Sequence, residues 1–367
     1  MQRFIIERYI IKEALQNFFA VVAVLLLIYM SNRFVRYLAD AAAGEIDSGV
    51  IFQLLMLKLT ANSVILLPLA LYLGILLALG RLYRDSEIIA LHAGGVGIGR
   101  LVRATGFLSA VFAVVIGAMS MYVAPLASQQ AEELTQQAKN DSDVTGLRPG
   151  RFKEFSGGDR IIYVRDVSPT KANLTDVFVQ MRREDALDIV YARSGRQYIE
   201  AKTGDRFMVL NDGYRYEGRP GDADFTVHAF ETHGVRIKKK TEQAVRQRLE
   251  TMSMGELVDG GDFTHLAELQ WRISMPLSAV ALGILAVPLA KTSPRGGKYG
   301  RLFTAVLIYF VYSNFLSIAQ KAVERGELPP SIGIWPVHLV MAGAIAIALL
   351  VASGRLYPRA WLRRVKP

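Results

Sequence analysis

Six long uncharged stretches fall three and three on either side of a charged insert, and that layout settles the class of fold before any motif is read. Between flanking charges they run from Ala14 to Asn32, Leu59 to Gly80, Ala104 to Ala131, Ile273 to Ala290, Leu302 to Gln320 and Leu328 to Gly354, each 18 residues or longer. A helix rises about 1.5 Å per residue, so roughly 20 residues cross a hydrocarbon core of about 30 Å while satisfying their own backbone groups. The expectation is an α-helical membrane protein with six transmembrane helices and an inserted all-β domain between helices 3 and 4. Residues 1–131 form the first membrane half, 132–262 the insert with its linkers, and 263–367 the second half. Pro68 kinks the second helix, and Pro329 and Pro330 move the start of the sixth to near Ile334 or Trp335.

Charge placement orients the spans. The chain carries net charge +10 and no cysteine, which removes disulfides, zinc–thiolate sites and a cysteine nucleophile and selects no compartment. The short segments Met1 to Glu13, Arg81 to Arg103, Lys291 to Arg301 and Arg355 to Pro367 hold 16 Lys and Arg, against 5 in Arg33 to Lys58 and Lys321 to Glu327. By the positive-inside rule both termini are cytoplasmic and the insert lies outside. The basic excess reports topology, and no nucleic-acid site is read from it. Phe4, Ile5, Tyr9, Ile10 and Leu15 recur at helical spacing against Arg3, Glu7, Arg8, Lys12 and Glu13, which predicts an amphipathic helix at the cytoplasmic interface before the first span. Ala39-Asp40-Ala41 resembles a signal cleavage site. The apolar run exceeds a typical h-region, however, and Arg33 and Arg36 intervene, so the segment is expected to stay.

The insert reads as short strands: 160–165, 176–181, 188–192, 197–200, 206–210, 214–217 and 225–230, many closed by turn residues such as Ser156-Gly157-Gly158, Ser194-Gly195, Thr203-Gly204-Asp205 and Asn211-Asp212-Gly213. Such spacing predicts an antiparallel sandwich, jelly roll or open barrel. Phe225, Val227 and Ala229 share a face, as a half-buried strand requires. Other runs are apolar on both faces, which fits either a deep core or a groove for apolar cargo. The segment from Lys238-Lys239-Lys240 to Glu256 reads as a charged linker and helix returning to the membrane.

No catalytic constellation emerges. The five histidines, His92, His228, His233, His265 and His338, lack metal-ligand spacing. Gly94-Gly95-Val96-Gly97-Ile98-Gly99 lacks the lysine and hydroxyl of a phosphate-gripping loop. The six stretches contain no Asp, Glu or His apart from His338, whereas ion-coupled carriers place such groups in the bilayer as relays. A transporter without relays draws its energy from a partner. The loop Arg84-Asp85-Ser86-Glu87-Ile88-Ile89-Ala90-Leu91-His92 suits docking: Asp85 or Ser86 is placed to cap a short helix, Ile88, Ile89 and Leu91 give it an apolar side, and Gly94 ends it. The same loop could simply turn the chain at the interface. Outside, Arg33 and Arg36 share a helix face, Lys58 opens the second span, and Lys321 and Arg325 close the fifth. They read as snorkelling side chains or as cations for phosphorylated lipid headgroups.

These residues also carry a resemblance. Leu79-Gly80-Arg81-Leu82-Tyr83-Arg84-Asp85-Ser86-Glu87-Ile88 with His92-Ala93-Gly94-Gly95, the opening Ile6-Glu7-Arg8-Tyr9-Ile10, Asn32-Arg33-Phe34-Val35-Arg36-Tyr37-Leu38, Pro149-Gly150-Arg151-Phe152, Glu268-Leu269-Gln270-Trp271-Arg272-Ile273-Ser274, and Val287-Pro288-Leu289 with Ser293-Pro294-Arg295-Gly296-Gly297-Lys298-Tyr299-Gly300-Arg301 resemble the LptF/LptG lipopolysaccharide export permeases, the LptF branch more closely. The resemblance implies a non-enzymatic inner-membrane subunit of a Gram-negative bacterium with a periplasmic jelly-roll domain. It implies pairing with an LptG-like permease, an LptB-like cytoplasmic ATPase dimer that uses ATP and Mg, and LptC-like and LptA-like periplasmic jelly-roll proteins. No cofactor is expected on this chain itself. The loop holding Glu87 would be the ATPase-coupling helix, and Arg33, Arg36 and Lys321 would lie near lipid A phosphates, with Lys58 beside them. Arg84-Asp85 departs from the uncharged or acidic residue common in related chains. The rival reading is a membrane-anchored scaffold that recruits periplasmic partners through its β-domain.

Overall fold

The computed structural model describes residues 3–42, 48–141, 149–155, 160–168, 173–182, 187–199, 206–218, 226–238, 249–291 and 298–354. Contacts divide the chain into two compact units, one drawn from Met1–Phe34, Leu55–Ala131 and Leu249–Pro367, the other from Val35–Leu54 and Glu132–Arg248. The helices are α1 (Arg3–Ala42), α2 (Ile51–Arg84), α3 (Glu87–Ala93), α4 (Ile98–Ala118), α5 (Ala124–Asp141), α6 (Met254–Gly260), α7 (Phe263–Ala290), α8 (Lys298–Glu324) and α9 (Trp335–Ala352). A π-helical turn, Met119–Val123, joins α4 to α5. Among the described residues, six helical segments are long and apolar enough to cross a membrane: α1, α2, the α4–α5 continuum, α7, α8 and α9.

The helical unit differs from the sequence reading at its start. α1 runs unbroken from Arg3 to Ala42, so the expected interfacial helix is continuous with the first span. Ile10 and Ala14 are 1% exposed, which places this part in the bundle core. There Phe18 meets Phe112 edge-on at 4.6 Å between ring centroids. A Cβ at Gly74 would come within 2.7 Å of the Phe18 Cα, so the close approach of α1 and α2 requires glycine at that point. Other apolar side chains, such as Leu27, Phe303 and Val340, face outward, as lipid-facing surfaces do. The sixth span begins at Trp335 with Pro336 in its first turn, where the missing N–H costs nothing.

The π turn faces a gap in the hydrogen bonding of α7. Pro276 inside α7 has no N–H, which deprives the Arg272 carbonyl of its helical donor. Ser120, in the π turn, donates its hydroxyl to that carbonyl at 3.1 Å.

The insert is one six-stranded antiparallel sheet in the order β1-β2-β3-β4-β5-β6, comprising Phe152–Phe155, Arg160–Val167, Asn173–Arg182, Leu187–Ile199, Arg206–Gly218 and Thr226–Lys238. Two expected turns are absent as turns. Ser194-Gly195 lies within β4 and Asn211-Asp212-Gly213 within β5, so four short runs merge into two 13-residue strands. The ladders skip facing positions on five adjacent strands, Arg165, Asp176, Arg193, Asp212 and Glu231, and β6 also skips Ile237, where the register shifts between Arg206 and Phe207. Asp176 and Asp212 take positive φ. These aligned irregularities bend the strands without ending them. A Cβ at Gly213 would run into the Tyr191 carbonyl, which explains a glycine at the bend. The turns at Ser156-Gly157-Gly158 and Thr203-Gly204-Asp205, and most of the 238–256 linker, lie outside the described residues.

One face of the sheet is core. Ile162, Val164, Val177, Val179, Val190, Ala192, Met208 and Leu210 are at most 1% exposed. The other face carries an aromatic row that crosses five strands in register, Phe152–Tyr163–Phe178–Tyr191–Tyr214. Val227 and Ala229 continue that outward face and are exposed, contrary to the half-buried face expected of them. The alternation was read correctly, but Tyr214 opposite Ala229 shows which side it points to. Phe225 lies outside the described residues.

Candidate functional site

At one end of the helical unit, α2 ends at Arg84 and the chain turns within two residues into α3. Asp85 and Ser86 donate their backbone N–H groups to the Arg81 and Tyr83 carbonyls at 2.9 and 3.2 Å. Ser86 occupies the N-cap position at φ 60° and makes no side-chain cap bond, unlike the expected hydroxyl cap. The left-handed turn rotates its hydroxyl away from the first-turn N–H groups. At the other end Gly94 N–H reaches the Ala90 carbonyl at 3.0 Å, and Gly95 takes the left-handed conformation, φ 81°.

The expected apolar side of α3 is divided. Ile88 is fully buried in the bundle, while Ile89 is 47% exposed, Leu91 is half-buried and His92 is exposed. Glu87 is tied to the bundle from another helix: Tyr9 of α1 donates its hydroxyl to the Glu87 carboxylate at 2.7 Å. Arg81 donates to the Tyr9 oxygen at 3.3 Å and pairs with Glu13 at 3.1 Å. Three helices therefore converge on this end, and α3 moves only with α1 and α2 or by breaking these bonds.

Of the cations expected outside, Arg33 and the backbone of Lys58 are linked through Tyr29. The Arg33 guanidinium lies 5.6 Å from the centre of the Tyr29 ring, a cation–π distance. The Tyr29 hydroxyl donates to the Lys58 carbonyl at 3.4 Å. Lys58 lies inside α2, which begins seven residues earlier at Ile51. Arg36 follows three residues after Arg33 on α1 and is exposed. Lys321 stands in the last turn of α8, with no bond to Arg33 or Lys58 among the described residues.

Sequence reasoning missed a buried ionic cluster because it began the fourth span at Ile273, after the last charge. The helix starts ten residues earlier, at Phe263. Glu268 and Arg272, 7% and 3% exposed, pair at 3.0 Å. Gln320 of α8 donates to the same carboxylate at 3.3 Å. Arg272 also donates to the carbonyls of Met252 at 2.9 Å and Leu249 at 3.0 Å, which fastens the segment leading into α6 against α7. Next to it, Gln270 donates to the Pro330 carbonyl at 2.7 Å and accepts from the Ile334 N–H at 3.1 Å. The i, i+4 spacing of Glu268 and Arg272 was the available signal. Deeper in the bundle, His338 Nδ1 lies 2.8 Å from the Tyr312 hydroxyl and Nε2 3.0 Å from the Ser274 hydroxyl. Both ring nitrogens are engaged, so His338 links α7, α8 and α9.

On the sheet, Tyr191 donates to Asp176 at 2.8 Å. That hydrogen bond and the carboxylate charge raise the Tyr191 phenol above its ordinary pKa. Among the described residues no three His, Asp or Glu side chains converge as a metal site.

Comparison with known proteins supplies context. The profile described as lipopolysaccharide export system permease LptF/LptG matches residues 8–351. The chain is 29% identical, over 348 residues and 94% of each sequence, to the lipopolysaccharide export system permease protein LptF of Escherichia coli strain K12, and equally to that of Shigella flexneri. It is 26% identical over 324 residues, 84% of this chain and 87% of the other, to the permease protein LptG of Haemophilus influenzae.

Proposed function

From the premise that this chain belongs to the LptF/LptG family of lipopolysaccharide export permeases, we propose that it is the LptF-type subunit of an ATP-driven exporter. In this reading both termini are cytoplasmic, the sheet is periplasmic, and the chain pairs with an LptG-like permease. An LptB-like ATPase dimer, the consumer of ATP and Mg, docks on the loop containing α3. Lipopolysaccharide leaves the outer leaflet of the inner membrane and passes to LptC-like and LptA-like periplasmic proteins. The observation that carries the reading is the match along residues 8–351, which spans both membrane halves and the insert.

The geometry supports a division of labour. Ile88 anchors α3 while Ile89 and Leu91 are left to meet a partner. A displacement of α3 reaches α1 and α2 through the Glu87–Tyr9–Arg81–Glu13 chain of bonds. At the outer end, Arg33 is preoriented by the Tyr29 ring, and Arg33, Arg36 and Lys58 provide three cations for a phosphorylated glycolipid. Lys321 would contribute from α8. Guanidinium–phosphate contacts are charge-assisted and often bidentate, so they hold a headgroup while the acyl chains leave the bilayer.

The test is affinity purification of the tagged chain from native membranes, with mass spectrometry of the proteins and lipids retained. An ATPase, a second six-span subunit and lipopolysaccharide support the reading. A chain retaining bulk phospholipid alone contradicts it.

A further inference from the structure

At the end of the bundle that carries α3, Leu76, Leu77, Gly80 and Arg84 of α2 and Arg301 and Leu302 of α8 line a cavity of about 30 Å³. Its walls are leucine and its charged groups are two guanidiniums. No carboxylate lines it among the described residues. Arg301 spends one NH2 group on the Ala290 carbonyl at the end of α7, at 3.1 Å, while its Nε is buried without a hydrogen-bond partner. A Cβ at Gly80 would stand 3.5 Å from the Arg301 guanidinium, so the helix surface beneath that group is flat.

This arrangement is unfavourable when empty. Two like charges facing one apolar cavity repel, the charge of Arg84 acting directly on Arg301, and a buried donor without an acceptor is costly. An anion with several acceptor oxygens relieves both. A cavity needs roughly 10–15 Å³ to admit one water, so this one, at about 30 Å³, admits two or three water-sized groups, such as two oxygens of a phosphate, and leaves the rest of a larger molecule outside. Leu76, Leu77 and Leu302 put hydrocarbon beside the two guanidiniums. The matching ligand has a phosphate beside hydrocarbon. Basic pockets between spans are a known means of gripping lipid headgroups.

We propose that Arg84 and Arg301 form a binding site for the phosphate of an anionic membrane phospholipid, at the opposite end of α2 from Lys58 and separate from any lipopolysaccharide site.

The full-length chain in nanodiscs of phosphatidylcholine containing phosphatidylglycerol tests this by native mass spectrometry of the lipid retained on release. The reading requires neither ATPase nor lipopolysaccharide, so it stands or falls apart from the export function. Wild type should retain phosphatidylglycerol over phosphatidylcholine. Arg84→Gln, at an exposed position, should weaken retention about fivefold, as expected for one basic residue at a membrane surface. Arg84→Gln with Arg301→Gln should abolish the preference. Arg100→Gln, a charge change at the same end outside the cavity, should leave it intact. Equal retention by Arg84→Gln and wild type, or equal loss in Arg100→Gln, would overturn the proposal. Binding of inorganic phosphate without lipid, with the same sensitivity to Arg84→Gln, would assign the site to free phosphate and overturn the lipid assignment.

Discussion

Replacing Arg272 by Met should destabilise the helical unit by about 3 kcal/mol. Glu268 and Arg272 are almost wholly shielded from water, so solvent does not compensate the carboxylate once its partner is gone. Removing one member of a buried pair costs about 3–5 kcal/mol. The lower figure applies because Gln320 still donates to Glu268. The substitution also strips the Met252 and Leu249 carbonyls of their donor, which should loosen the segment entering α6. Methionine keeps most of the side-chain volume, so the loss reports electrostatics and hydrogen bonding rather than a cavity. Adding Glu268→Gln removes the stranded charge and should recover at least about 1 kcal/mol, a coupling that only interacting neighbours show. The assay is reversible unfolding by SDS in mixed micelles, followed by helicity. A loss below about 1 kcal/mol for Arg272→Met, or no recovery in the double variant, would refute the argument.

Other substitutions separate local roles. Gly74→Ala drives a methyl into the backbone of α1 at Phe18 and should cost about 1–3 kcal/mol as overpacking does; Gly343→Ala, with nothing within 4 Å, should be silent in the same titration. Glu87→Lys should abolish co-purification of the ATPase while the chain remains inserted, and Tyr9→Phe, which removes the hydroxyl that holds Glu87, should lower it partially; normal recovery with Glu87→Lys would rule out the coupling role of α3. Arg33→Glu with Arg36→Glu should reduce photocrosslinking of lipopolysaccharide to α1, and unchanged crosslinking would leave these residues as ordinary interfacial cations.

The spans were legible because bilayer thickness imposes a length that no other feature of the chain imitates. Their ends were not. Charge marks where a helix can meet water, and Glu268 and Arg272 violate that rule by neutralising each other inside. α1 and α2 likewise run on past the charges taken to bound their apolar stretches, to Arg3 and Ile51. In the insert β2 to β5 were found, two of them divided too often, while β1 was missed and β6 runs on to Lys238, past the expected end at Phe230. Gly195 and Gly213 look like turn residues in one dimension, and only their partners across the sheet show them to lie inside continuous strands. The loop at Glu87 was visible from its composition. Its link to Tyr9, 78 residues away, depends on packing that periodicity does not encode.

The central claim is that this chain moves lipopolysaccharide under the power of a partner ATPase. Its most direct test is reconstitution with the LptG-like subunit, the ATPase and lipopolysaccharide in proteoliposomes, measuring transfer to a soluble LptA-like acceptor. The account predicts transfer that requires ATP and Mg and is lost with Glu87→Lys. Transfer indifferent to ATP, or unaffected when this chain is omitted, would contradict it.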